Sequence, residues 1–128
     1  MSRGVVLVIE NQPEHRELAT LLLTDAGYEV ENAATGKEGL QLARMLRPQI
    51  ILLALNLPDI DGFETLRQLK EDPATCNIPV IAVSPRNSEE DRVRGLEAGF
   101  LDYVIKPFNT RGLQQVLHAF HAQEGKTS

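Results

Sequence analysis

Four stretches of this chain are apolar without alternation: Val5-Val6-Leu7-Val8-Ile9, Ile50-Ile51-Leu52-Leu53-Ala54-Leu55, Ile78-Pro79-Val80-Ile81-Ala82-Val83 and the shorter Tyr103-Val104-Ile105. A strand with one face in water alternates apolar and polar residues. Continuous runs of this length therefore fit strands buried on both faces, the pattern of a parallel sheet covered by helices. A weaker fifth candidate, Tyr28 to Ala33, has Val30 as its main aliphatic residue and reads as an edge strand. The strands begin near residues 5, 28, 50, 78 and 102, the period of a βα unit used five times.

Between the strands, apolar residues recur at helical spacing. Leu18, Leu21 and Leu22 form one face, and Leu113, Val116, Leu117 and Phe120 form another. Thr35 with Glu38, and Ser88 with Asp91, have capping-box spacing, in which a hydroxyl and a carboxylate satisfy orphan backbone donors. Gly27 and Gly99 sit where helices end before a short strand, and Pro48 closes the second helical segment. Right-handed crossovers then give a three-layer, doubly wound α/β domain. Ligands are expected at the carboxyl ends of its strands.

The 128 residues, 42% of them hydrophobic, suffice for one core, expected over residues 4–121 with 122–128 as a short polar tail. A charged fraction of 24% is that of an ordinary folded domain. No apolar run approaches the roughly 18 residues of a membrane span. The apolar segment behind Met1-Ser2-Arg3-Gly4 stops at Glu10, which does not fit a signal peptide, so the expected location is the cytoplasm, with no membrane partner. Thirteen Lys and Arg against eighteen Asp and Glu give a net charge of −5. The basic residues are dispersed, which leaves no footprint for direct nucleic-acid binding. Cys76 has no partner for an internal disulfide, and His15, His118 and His121 make no metal-ligand cluster.

The first strand ends in Glu10-Asn11, the third in Ala54-Leu55-Asn56, the fourth in Ser84-Pro85 and the fifth in Lys106-Pro107, so these residues converge on one shallow crevice. The segment Glu10 to Glu14 stands where a dinucleotide or P-loop site would need glycines. There is no nucleophile-elbow motif either.

With these residues in view, the sequence resembles the receiver domains of two-component response regulators over about residues 4–121. The likeness rests on the acidic corner after strand one, the segment Leu57-Pro58-Asp59-Ile60-Asp61-Gly62-Phe63, the hydroxyl of Ser84, Tyr103 three residues before a lysine, and Lys106-Pro107. It implies a flavodoxin-like (βα)5 fold with a parallel five-stranded sheet in the order 2-1-3-4-5. It also implies a site where an aspartate ending strand three accepts a phosphoryl group from a partner histidine kinase, with Mg²⁺ held by it and by the acids after strand one.

The matching acceptor position here is Ala54, and a methyl group is no nucleophile. The second acid position is Asn11, which leaves Glu10 as the one side-chain carboxylate at the matched positions. The resemblance thus implies a degenerate phosphorylation pocket of Glu10, Asn11, Ala54, Asn56, Ser84 and Lys106, with Tyr103 at the place of the aromatic that swings inward on phosphorylation. Mg²⁺ seeks near-octahedral oxygen ligands including one or two carboxylates. One carboxylate, the Asn11 amide and the Asn56 carbonyl predict weak or absent Mg²⁺ binding and no cofactor. Glu10 facing Lys106 predicts a crevice near neutrality.

Other groups are weighed against plainer roles. Asp59 and Asp61 are the nearest spare carboxylates to Ala54, and Asp61 is expected to cap the third helix rather than accept phosphate. His15, His118 and His121 occupy helical positions with solvated-looking neighbours and are not expected to carry phosphate. Residues 88–121 match the family's usual output face and a possible homodimer surface. There Arg86, Arg92, Arg94 and Arg111 mix with Glu89, Glu90, Asp91 and Asp102, which reads as a solvated surface.

The expectation is a stand-alone pseudo-receiver, not an enzyme, that signals through protein contacts without phosphorylation at the usual position. Its partner would be a histidine kinase, an output enzyme or another receiver. One alternative is a working phosphoacceptor regulator in which Ala54 is a laboratory substitution. Another is a sensor in which the emptied crevice between Asn11, Ala54, Ser84 and Lys106 takes up a small anion or metabolite.

Overall fold

All the residues of Val6–Ile9, Ile50–Ala54 and Val80–Ser84 are buried, as strands covered on both faces must be. The computed structural model describes residues 2–86 and 88–125, with side chains described through residue 122. Its elements are β1 (Val5–Ile9), α1 (Pro13–Asp25), β2 (Glu29–Ala33), α2 (Gly36–Leu46), β3 (Ile50–Ala54), α3 (Gly62–Glu71), β4 (Val80–Ser84), α4 (Glu89–Ala98), β5 (Asp102–Ile105) and α5 (Thr110–Gly125). The strands form one parallel sheet in the order β2-β1-β3-β4-β5. Among the described residues no helix is long and apolar enough to cross a membrane.

Successive strand residues face opposite sides, and each side has its own core. Val6, Val8, Ile50, Leu52, Ile81, Val83 and Val104 pack with Ala19 and Leu23 of α1 and Val116, Ala119 and Phe120 of α5. Leu7, Ile9, Ile51, Leu53, Val80, Ala82 and Tyr103 pack with Ala43 of α2 and Leu66 and Leu69 of α3. The edge strand β2 is the least buried, with Glu29, Glu31 and Asn32 exposed.

Several expectations shift. In α1 the buried positions are Ala19 and Leu23, while Leu21 is 67% exposed, so the stripe is turned from the Leu18-Leu21-Leu22 face. Three consecutive leucines fit more than one helix rotation, and docking of Leu23 in the core with β1 and α5 selects one. Strand β4 starts at Val80 rather than 78, because Pro79 has no N–H to give a ladder, although its carbonyl accepts from Ile51 N (3.0 Å). Helix α5 runs on to Gly125, so the boundary expected after residue 121 falls inside a helix, and 126–128 lie outside the described residues. Helix α2 ends on Arg47 in a left-handed conformation (φ 47°) just before Pro48, and α4 ends on Gly99 (φ 115°).

The helix starts use their hydroxyls and carboxylates as the spacing suggests. Thr35 Oγ1 accepts from Glu38 N and Ser88 Oγ from Asp91 N, both at 3.1 Å. Asp61 Oδ1 accepts from Glu64 N at 2.8 Å. Replacing Thr35 or Ser88 by alanine leaves an orphan donor and should cost about 1 kcal/mol each, read as a lower urea midpoint at unchanged slope.

Candidate functional site

Because all five strands run the same way, the residues that leave them meet at one edge of the sheet. Glu10 follows β1, Ala54 ends β3, Ser84 ends β4 and Lys106 follows β5. The ladder holds these exits in place: Glu10 N donates to Ala33 O (2.9 Å) and Lys106 N to Ser84 O (2.8 Å). The bond from Lys106 to Pro107 is cis.

Glu10 is only 4% exposed, and each of its carboxylate oxygens is used. Oε1 lies 2.6 Å from Lys106 Nζ. Oε2 accepts from Gln12 N (3.0 Å) and, with the Asn11 amide assigned the orientation that turns its nitrogen toward the surrounding oxygens, from that nitrogen as well (3.1 Å). The same Asn11 nitrogen donates to the carbonyl oxygen of Asn56 (3.0 Å). One amide thus bridges the two oxygen-bearing corners of the crevice, and one ammonium neutralises its carboxylate. A buried carboxylate so paired and hydrogen-bonded is compensated, where an isolated one would not be.

Ala54 lies at the floor, buried, with a void of about 20 Å³ beside it bounded by Glu10, His15, Lys106 and apolar side chains. That is room for about one water molecule, which occupies ~10–15 Å³ on this measure. That void is lined by neither Asn11 nor Ser84, and in the crevice expected between Asn11, Ala54, Ser84 and Lys106 the lysine is already paired with Glu10. Gly62 closes the floor from below. A Cβ there would stand 2.7 Å from both the Ala54 carbonyl oxygen and the Leu55 Cα, backbone atoms that cannot give way.

Ser84 is buried, and its Oγ accepts from Arg86 N (3.2 Å). Tyr103 is 3% exposed with its ring against Gly95 of α4, and its hydroxyl has no hydrogen-bond partner among the described residues. These two side chains also line a cleft of about 150 Å³ that opens between the β3–α3 loop and α4, with Asn56, Phe63, Arg86 and Arg94 among its other walls.

Two contributors were not legible in the sequence. Asp59 is exposed but caps α2 from the β3–α3 loop: its two carboxylate oxygens accept from Gly36 N and Lys37 N, each at 2.9 Å. Desolvation pushes its pKa up, yet the N–H groups of Lys37, Gly36, Ile60 and Asp59 outweigh this and hold it at about 2, against 3.8 ordinarily. The contact spans 23 residues of sequence, so no local motif announces it. His15, expected on a solvated face, instead lies at the crevice with Nδ1 3.8 Å from Glu10 Oε1. Pro13 at the start of α1 was the available signal, since side chains in a first turn lean back toward the strand end. His118 and His121 are exposed, Asp61 caps α3, and Cys76 is a free thiol. Among the described residues no group of three or more His, Cys, Asp or Glu is placed to hold a metal ion.

Residues 6–118 match the response regulator receiver domain family. The protein PilH of Pseudomonas aeruginosa is 33% identical over 114 residues, which span 89% of this chain and 94% of PilH. The transcriptional regulatory protein AfsQ1 of Streptomyces coelicolor is 41% identical over 114 residues, 89% of this chain, but the match covers 49% of AfsQ1, so the chain spans about half of that longer relative. Among solved structures, a CheY-like receiver domain protein from Methanospirillum hungatei superposes with a TM-score of 0.86 at 29% identity, covering 98% of this chain and 99% of the other.

Removing one partner of a buried ion pair strands the other, so Lys106→Met should cost about 3–5 kcal/mol in urea unfolding, and adding Glu10→Gln to it should restore part of the loss. The depressed Asp59 carboxyl supplies stability that is full above its ordinary pKa and lost as pH falls through about 2. The melting-temperature difference between the native chain and Asp59→Asn should accordingly shrink as the pH is taken from about 5 toward 2.

Proposed function

The chain belongs to the response regulator receiver domain family of two-component signalling, and on that premise we propose that it is a pseudo-receiver, acting through protein contacts without phosphorylation at the usual position. The observation that carries this is the closed network of the crevice. A methyl group stands at Ala54, and the Asn11 amide joins Glu10 to the Asn56 carbonyl where a receiver would gather Mg²⁺.

The donor set does not fit Mg²⁺. The ion needs oxygen ligands and one or two carboxylates, whereas here the single carboxylate is held by an ammonium, an amide and a backbone N–H. An N–H donor pointing between two oxygens does locally what a cation would do, and it needs no phosphoryl group to complete it. Asn11 also sets this crevice apart from that of a working receiver in which only the acceptor had been replaced.

With no phosphoryl group to bias it, the conformation of the output face is set by the chain's own packing, or shifted by a partner that binds one state better. That face carries exposed Val93 and Leu96 on α4 together with Leu101 and Ile105 at β5, an apolar surface available to a histidine kinase, an output enzyme or another receiver. A second copy of the chain could use the same surface, residues 88–121.

The test is incubation with a small phosphodonor followed by intact-mass analysis, with melting curves in millimolar Mg²⁺ and beryllofluoride, a mimic of aspartyl phosphate. Neither a phosphate adduct nor a melting shift is expected. An adduct on Asp59 or Asp61, or a raised melting temperature, would overturn the proposal.

A further inference from the structure

The cleft between the β3–α3 loop and α4 holds two groups that the network around Glu10 and Ala54 does not engage. Tyr103 lines it, is 3% exposed, and keeps a hydroxyl with no hydrogen-bond partner among the described residues. Leaving a buried hydroxyl unpaired is costly, so a partner that enters the cleft would recover that cost. Arg94, exposed on α4, lines the same cleft with its guanidinium stacked on Phe63, 4.5 Å from the ring centroid. A guanidinium lying over a ring face still has N–H donors to offer an anion, and Arg94 makes no ion pair among the described residues.

The acids at the rim are already engaged. Asp61 accepts from Glu64 N, and Asp91 accepts from Ser88 Oγ (2.7 Å) and faces Arg86 (3.8 Å). We infer that this cleft is a binding site for a small organic carboxylate, whose oxygens take the Arg94 fork and the Tyr103 hydroxyl while its hydrocarbon part lies against Leu55 and Phe63. Three features select that chemistry. The Arg fork matches a planar, two-oxygen anion. Two arginines set against two aspartates suit a single negative charge better than a doubly charged phosphate. A volume of about 150 Å³ is below the roughly 300–1,000 Å³ of drug-sized pockets, which limits the ligand to a small acid. The cleft adjoins the Ala54 crevice, sharing Asn56 and Ser84 with it but neither Ala54 nor Lys106, and carboxylate binding is read separately from any phosphate adduct.

The test is a ¹⁵N NMR titration of the whole chain with benzoate, butyrate and inorganic phosphate, repeated on Arg94→Gln and Tyr103→Phe. At least one carboxylate should give saturable shifts at the amides of Asn56, Ser84 and Tyr103, and phosphate should bind more weakly. Arg94→Gln and Tyr103→Phe should each weaken carboxylate binding by about tenfold while keeping the native dispersion of the spectrum. Three results would overturn the inference: no saturable shift with either carboxylate, affinity unchanged in both variants, or phosphate binding as tightly as the acids.

Discussion

The molecule is organised by one constraint: its strands are buried on both faces and run in the same direction. Parallel strands need crossovers, and crossovers that cover both faces must be helices, so every βα turn opens at one edge of the sheet. Nothing else is required to bring Glu10, Ala54, Ser84 and Lys106 together, although they are spread over most of the sequence. The crevice is a by-product of chain direction, and its chemistry depends on which residues occupy those exits.

At those exits the decisive balance is electrostatic. Receivers as a family are expected to gather acids here, and acids about 4 Å apart at an effective dielectric of ~20 repel by roughly 4 kcal/mol per pair, a debt that metal and phosphate discharge. In this chain the repulsion is absent at the source. Glu10 meets Lys106 and Asn11 rather than further carboxylates, so the exits are mutually satisfied in the resting molecule. Asp59 and Asp61 serve the same end from the β3–α3 loop, each tying it to a helix start, α2 and α3 respectively. The loop that borders the crevice is thereby anchored at two points near its α3 end.

How much of this was legible in the sequence follows from the range of each interaction. The strands of the interior were plain, because burial on both faces leaves a mark on consecutive residues, and so were the caps at Thr35 and Ser88, which act within three positions. The exits Glu10, Asn11, Ala54, Ser84 and Lys106 followed from where those strands stop. The rotation of α1, which buries Leu23 and exposes Leu21, is settled by packing partners far along the chain and had no local signature. The same holds for Asp59 reaching α2 and for Arg94 lying on Phe63. His15 is intermediate: its place at the crevice could be read only once the start of α1 at Pro13 was known.

The edge strand β2 has a bearing on crowded solution. Its exposed Glu29 and Glu31 border unpaired backbone groups that would otherwise be a template for a neighbouring chain. A second molecule aligning its own β2 there would set like charges beside each other in a strip only five residues long. Growth of the sheet from one molecule into the next is therefore penalised at this edge, and the chain's open backbone is protected against fibre-like stacking by two carboxylates that take no part in its core.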